Sequence, residues 1–234
     1  MPPRRSPERL LVIVDAATEV FAQTGFAAAQ MVDVARMAGV SVGTLYNYVE
    51  GKGALLLLCA ERPFTDITEG RDLPVPTPDR VELIARLDET LVRHVHVATL
   101  DRALRTPLQR EGLESQLGHI VGELFDLISV TRVAADAMER SARDAPDLGD
   151  LFYRRVRLRL LEQLLTYARR LRKVVAQPPH VTPDVAARFI LETVTWWARH
   201  RHRDPAPPNV DDTTAREIAI ELVVATLTHQ PTRR

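Results

Sequence analysis

Residues 31–48 read MVDVARMAGVSVGTLYNY, and their reading decides the fold. Met31, Val34, Ala35 and Ala38 follow the i, i+3, i+4, i+7 spacing of a helix with one buried face. Gly39 then supplies a left-handed position that stops the helix, because it has no Cβ to clash. Val40 is placed to drop into the core beneath the turn, and Ser41 to cap the next helix through its hydroxyl. A second short helix is expected over 42–48, with Leu45 facing inward. A helix, a tight glycine turn and a helix make a helix-turn-helix, whose second helix is shaped for the major groove of DNA.

Upstream, Ser6-Pro7-Glu8-Arg9 reads as a helix start, with Ser6 as cap and Pro7 at the first helical position. That helix carries Leu10, Ile13, Val14, Ala17, Val20 and Phe21 on one face and ends at Gly25. Three helices in about 50 residues bury little, so the domain is expected to lean on the helices C-terminal to it. A fourth helix begins near residue 53 or 54 and is kinked or ended by Pro63.

The run AGVSVGTLYNYVEGK (38–52) resembles the recognition segment of TetR-type (TetR/AcrR) transcriptional regulators, with Ala16, Ala17, Phe21, Gly25, Phe26, Val34 and Ala35 at matching upstream offsets. The resemblance covers residues 8–57. It implies an all-α fold with an N-terminal three-helix helix-turn-helix domain, 1–52, and a C-terminal helical ligand-binding and dimerisation domain, 53–234. It also implies a DNA-contacting set: Gln30, Ser41, Val42, Gly43, Thr44, Tyr46, Asn47, Tyr48 and Lys52. Val42, Gly43 and Thr44 are to approach base edges, while Tyr46, Tyr48 and Lys52 hold phosphate, a division that suits phenol and ammonium donors. Two tyrosines two apart on a helix point in different directions, so both are not expected in the core. The chain departs from the family pattern at Ala29 and Gln30 (usually a Thr pair), at Gly53 (usually acidic) and at Val49 (usually Phe).

The C-terminal part reads as helices throughout. They are expected over 78–102, 115–141, 147–175, 183–202 and 213–229, with 70–78 (GRDLPVPTP) as the clearest linker and 203–212 (RDPAPPNVDD) as a Pro-rich loop. No alternation persists as a strand. The last two helices are apolar on most sides, which predicts burial on most sides and so a homodimer interface through Phe189, Trp197, Ile218, Leu222 and Ala225. The resemblance implies a small apolar effector between the long helices, with His94, Phe125, Tyr153, Tyr167, Phe189 and Trp196 as candidate pocket residues among ordinary core side chains.

Composition narrows the function. Lys plus Arg and Asp plus Glu each total 31, and hydrophobic residues make 45%. Within 1–55, Arg4, Arg5, Arg9, Arg36 and Lys52 face Glu8, Asp15, Glu19, Asp33 and Glu50, so DNA binding must rest on local placement, not a basic surface. That neutrality keeps a second reading open: an all-helical ligand-binding or interaction module without specific DNA binding. Cys59 is expected as a small core residue. His94 and His96, like His200 and His202, are two apart on a helix and cannot share one metal locally. His119, His180 and His229 have no i+3 or i+4 companion. No catalytic or phosphate-loop motif occurs, so neither an enzyme, a metal nor a cofactor is expected. The chain lacks a run long enough to span a membrane and has a poor signal peptide, which makes the cytoplasm the default.

Overall fold

A computed structural model of the chain describes residues 6–228. Its helices are α1 (Pro7–Thr24), α2 (Met31–Met37), α3 (Val42–Tyr46), α4 (Lys52–Glu61), α5 (Arg80–His94), α6 (Ala98–Arg105), α7 (Leu113–Ser141), α8 (Pro146–Asp150), α9 (Arg159–Val174), α10 (Pro183–Ala198) and α11 (Asp212–Thr228). The fold is all-α. Among the described residues the only β-pairing is an isolated parallel bridge between Val49 and Val75. Among the described residues no helix is long and apolar enough to cross a membrane. His229 lies outside the described residues.

The chain packs as two compact units: residues up to Val95 with Val133–Val156, and His96–Arg132 with the residues from Arg157 onward. In the first unit α1 starts as its sequence dictates. The Ser6 hydroxyl accepts the Arg9 N–H at 3.2 Å, and Pro7 occupies a position whose N–H would be orphaned. Leu10, Ile13, Val14, Ala17 and Phe21 are buried against α2 and α4 in one hydrophobic cluster. The expected helix end at Pro63 is an end, since α4 stops at Glu61.

The segment 70–78 is not the free linker that its composition suggests. Val75 is buried, its N–H donates to the Tyr48 carbonyl at 2.8 Å, and its carbonyl accepts the Glu50 N–H at 2.9 Å. Gly51 permits this crossing: a Cβ there would stand 2.8 Å from the Thr77 hydroxyl. The same core takes Ala137 and Met138 from the end of α7, Leu148 from α8, and Leu151 and Phe152 from the helical stretch that follows it.

The single helix expected over 78–102 is two. Val95 and Val97 leave helical geometry (φ −88°, ψ 83° at Val95; φ −113°, ψ 102° at Val97) and both turn inward, while His96 between them is exposed. A buried–exposed–buried alternation belongs to extended backbone, and β-branched residues favour it. The helix expected over 147–175 is interrupted too, by a π-helical stretch over Leu151–Leu158.

In the second unit α6 is held from both ends by its neighbours. Glu123 of α7 accepts the Thr99 N–H at 2.8 Å, supplying the cap that Val97 cannot. Arg170 of α9 donates to the Ala103 carbonyl at 2.7 Å and to the Thr106 carbonyl, where the C-terminal carbonyls need partners. Helix α10 packs on α9 and α11. The Pro-rich loop between α10 and α11 is pinned by the buried Arg201, which donates to the Trp197 carbonyl at 2.7 Å and the Val210 carbonyl at 3.1 Å and pairs with Asp212.

Candidate nucleic-acid interface

The turn between α2 and α3 is a Schellman motif. Gly39 has φ +66°, its N–H donates to the Arg36 carbonyl at 3.2 Å, and the Val40 N–H donates to the Ala35 carbonyl at 3.0 Å. Nothing lies within 4 Å of a Cβ placed on Gly39, so backbone conformation, not space, is what asks for glycine. Ser41 caps α3, accepting the Thr44 N–H at 3.0 Å, and its hydroxyl lies 2.8 Å from that of Thr44. One of these two hydroxyls donates to the other. If Ser41 is the donor, the Thr44 proton stays free for an acceptor outside the protein.

Only Leu45 of α3 is buried. Around it, Val42 (37% exposed) and Tyr46 (46%) present their side chains outward, with Gly43 and Asn47 exposed beside them. A Cβ at Gly43 would meet nothing closer than the Ser41 hydroxyl at 3.9 Å, so an outside group can approach its backbone. Gln30 is exposed at the N-cap of α2 but makes no side-chain cap there. Its amide sits one methylene too far out to replace a Thr or Ser hydroxyl.

Of the expected phosphate ligands, Tyr48 is placed differently and Lys52 is engaged within the protein. Helix α3 ends at Tyr46, so Tyr48 lies beyond it and does not share its outward face. Tyr48 is 2% exposed, and its hydroxyl accepts the Ser6 N–H at 2.9 Å: its ring closes the core and its oxygen ties down the start of α1. Lys52 is partly buried, and Nζ donates to the Ala27 carbonyl at 3.0 Å and the Ala29 carbonyl at 3.1 Å, with the Phe26 ring centroid 4.8 Å away. Burial lowers the pKa of this ammonium. Two of its three N–H donors therefore clamp the turn between α1 and α2. The Phe26 ring also has the Arg80 guanidinium at 5.5 Å, and the Phe26 N–H donates to the buried Ser141 hydroxyl at 2.9 Å. No local sequence signal marks Ser141, which is 115 residues away from Phe26 along the chain.

Residues 13–59 match the family model of bacterial regulatory proteins, tetR family. The N-terminal domain is a tetR-family domain. A TetR-like transcriptional regulator from Rhodococcus sp. RHA1 has 18% identity to the chain, covers 94% of it and 96% of itself, and superposes with a TM-score of 0.51. FadR from Bacillus subtilis in complex with stearoyl-CoA has 18% identity over 92% of this chain and 98% of its own, with a TM-score of 0.45. NalD, the secondary repressor of the MexAB-OprM multidrug efflux pump in Pseudomonas aeruginosa, has 19% identity over 96% and 98%, with a TM-score of 0.45. At 18% identity, the likeness to the Rhodococcus regulator is one of fold. No curated protein matches the chain.

The matched segment of the tetR-family domain ends at Cys59. Its thiol is buried, 3.6 Å from the Val14 carbonyl, and burial pushes its pKa up to about 12, so thiolate chemistry is suppressed at neutral pH. Among the described residues no group of three His, Cys, Asp or Glu side chains converges to hold a metal.

The effector candidates are dispersed. Phe125 and Tyr167 are buried core side chains, Tyr167 with its hydroxyl 3.3 Å from Gln116 Oε1. Tyr153 is 42% exposed and packs edge-on against Phe152. His94 is half-buried and stacked on Phe64, with ring centroids 4.9 Å apart. Trp196 is half-buried and packs edge-on against Trp197. Phe189 lines an open groove of about 530 Å³ between α9 and α10, with Leu161, Leu165 and Val185. Of the expected interface residues, Ile218 is half-buried, Leu222 is 45% exposed and Ala225 is exposed, while Ala215, Ala219, Val223 and Leu227 form the buried stripe of α11.

Proposed function

We propose that the protein is a ligand-responsive transcriptional regulator, acting as a repressor, that binds a palindromic operator as a homodimer. Residues 1–52 are its DNA-binding part and 53–234 its effector-binding and dimerisation part. The observation that carries this is the outward face of α3, where Val42, Gly43, Thr44, Tyr46 and Asn47 surround a single buried anchor, Leu45. A short helix displayed this way suits insertion into a major groove, with Thr44 near base edges and the Tyr46 hydroxyl near phosphate. A dimer presents two such helices, so its site is an inverted repeat with half-sites about 34–36 Å apart or a multiple of that.

Selection of duplexes from a random pool by the full-length protein is expected to enrich such an inverted repeat. Thr44→Ala is then expected to blunt discrimination at one operator position by about 1–3 kcal/mol, read by fluorescence anisotropy on matched and mismatched duplexes. Failure to enrich any sequence would favour the other reading, a helical ligand-binding or interaction module, which the neutral charge of the N-terminal domain supports.

The effector is proposed to be a small, largely apolar molecule held in the second unit. It releases operator by favouring a dimer whose recognition helices are wrongly spaced, a shift set by its differential affinity for the two states. Linkage makes the effects reciprocal: an apolar compound that raises the melting temperature is expected to weaken operator binding as well. If every stabilising compound leaves operator affinity unchanged, the protein is a constitutive binder.

A further inference from the structure

A neutral domain that binds DNA must still neutralise phosphate somewhere, because counterion release supplies much of the affinity. Of the five cations in 1–52, Arg4 and Arg5 lie outside the described residues, which leaves Arg9, Arg36 and Lys52 within them. Arg36 is paired with Asp33 at 2.9 Å on its own helix. Lys52 is turned onto the Ala27 and Ala29 carbonyls. Arg9 is exposed, and among the described residues its guanidinium has no hydrogen-bond or ion-pair partner.

The surroundings of Arg9 give that unused charge a direction. It borders a cleft of about 520 Å³ between the start of α1 and the α2–α3 turn, lined also by Ser6, Glu8, Val12, Ser41 and Thr44. Ser41 and Thr44 are the first hydroxyls of the recognition helix, so Arg9 and the groove-facing residues share one concavity. The start of α1 is fixed there by the Ser6 N–H bond to the Tyr48 hydroxyl. Glu8 is the opposing charge at this cleft. Its carboxyl is held below the usual carboxylate range by its own backbone N–H and by the Ser6 hydroxyl, so it stays ionised and repels an anion.

We propose that Arg9 is a phosphate-neutralising side chain of this domain, and that Lys52 is a structural clamp on the α1–α2 turn, with no such role. This rests on the DNA-binding function proposed for α3. A phosphate of the operator backbone sits in the cleft, bonded by the planar guanidinium, while α3 lies in the adjacent groove. Lys52 acts earlier in the chain of cause: it sets the turn that positions α2 and α3.

The test uses the full-length protein and the duplex it selects, across a salt series. Arg9→Ala is expected to reduce the magnitude of the salt slope by about 0.9 per protomer. Arg9→Lys is expected to restore the slope, and Glu8→Gln to tighten binding at every salt concentration. Lys52→Met is expected to lower the melting temperature while keeping the wild-type slope. A wild-type slope in Arg9→Ala overturns the assignment, and Arg9 is exposed enough that this variant folds. A slope lost in Lys52→Met as fully as in Arg9→Ala overturns the clamp. If wild-type protein selects no duplex, the DNA-binding reading itself has failed, and this outcome is separate from either.

Discussion

Leu222→Arg is expected to turn a dimer into a monomer. Leu222 is 45% exposed on the chain by itself, on α11 beside the buried stripe of Ala215, Ala219, Val223 and Leu227 and outside it. The substitution therefore leaves the buried stripe itself intact, and its main effect is expected on a partner. In a two-fold interface both copies present the same patch, so each dimer receives two arginines in an apolar seam. An unpaired buried charge is destabilising by about 3–5 kcal/mol, a factor of more than a hundred in the dimerisation constant. Sedimentation equilibrium reads the outcome, with the protomer's helical content by circular dichroism as the control. A soluble Leu222→Arg protein with wild-type dimer mass would remove α11 from the interface. The monomer should also lose operator affinity, since its second half-site contact is no longer intramolecular.

Leu45→Ala is expected to disable DNA binding without unfolding the chain. Helix α3 spans five residues and reaches the core through Leu45, which is fully buried. Truncating a buried leucine costs about 2–5 kcal/mol, through lost transfer energy and the cavity left behind. A single turn of helix cannot hold itself in water, so that loss falls almost wholly on the placement of Val42, Thr44 and Tyr46. Operator anisotropy should show affinity falling to the level of scrambled duplex, while the helices of the second unit keep their circular dichroism signal. Retention of operator affinity within twofold would mean that α3 is held by something other than its core anchor.

What was legible in the sequence was what local chemistry decides. Ser6-Pro7, Gly25, Gly39 and Ser41 each mark a helix boundary by a mechanism that needs no tertiary partner, and each boundary lies where expected. The exposure of Tyr46 and the burial of Leu45 follow from the same helical period. Tyr48 was misplaced, and the carbonyl partners of Lys52 went unseen, because both depend on tertiary contacts: the Ser6 N–H, and a turn more than twenty residues upstream. The break at Val95–Val97 was hidden because valine suits an apolar helical stripe as well as an extended alternation. Segment 70–78 has the composition of a linker, yet Val75 enters the core. For the effector, the aromatic residues that line pockets are also those that fill cores, so Phe125 and Tyr167 gave no sign of which they were.

The core of the first unit mixes distant parts of the chain. Leu10, Phe21 and Leu55 pack in the same cluster as Met138, Leu148 and Phe152. During synthesis, then, the helix-turn-helix leaves the ribosome well before the side chains that finish its core. Domains generally fold as units from the N-terminal end, but here the N-terminal unit must wait for residues that lie past the middle of the chain. A nascent or truncated product ending near residue 60 would have its DNA-reading turn without Val75, Ser141 and Phe152 to hold it. Under the proposed function, such fragments would be poor competitors for the operator, which only chains extending past Phe152 could occupy.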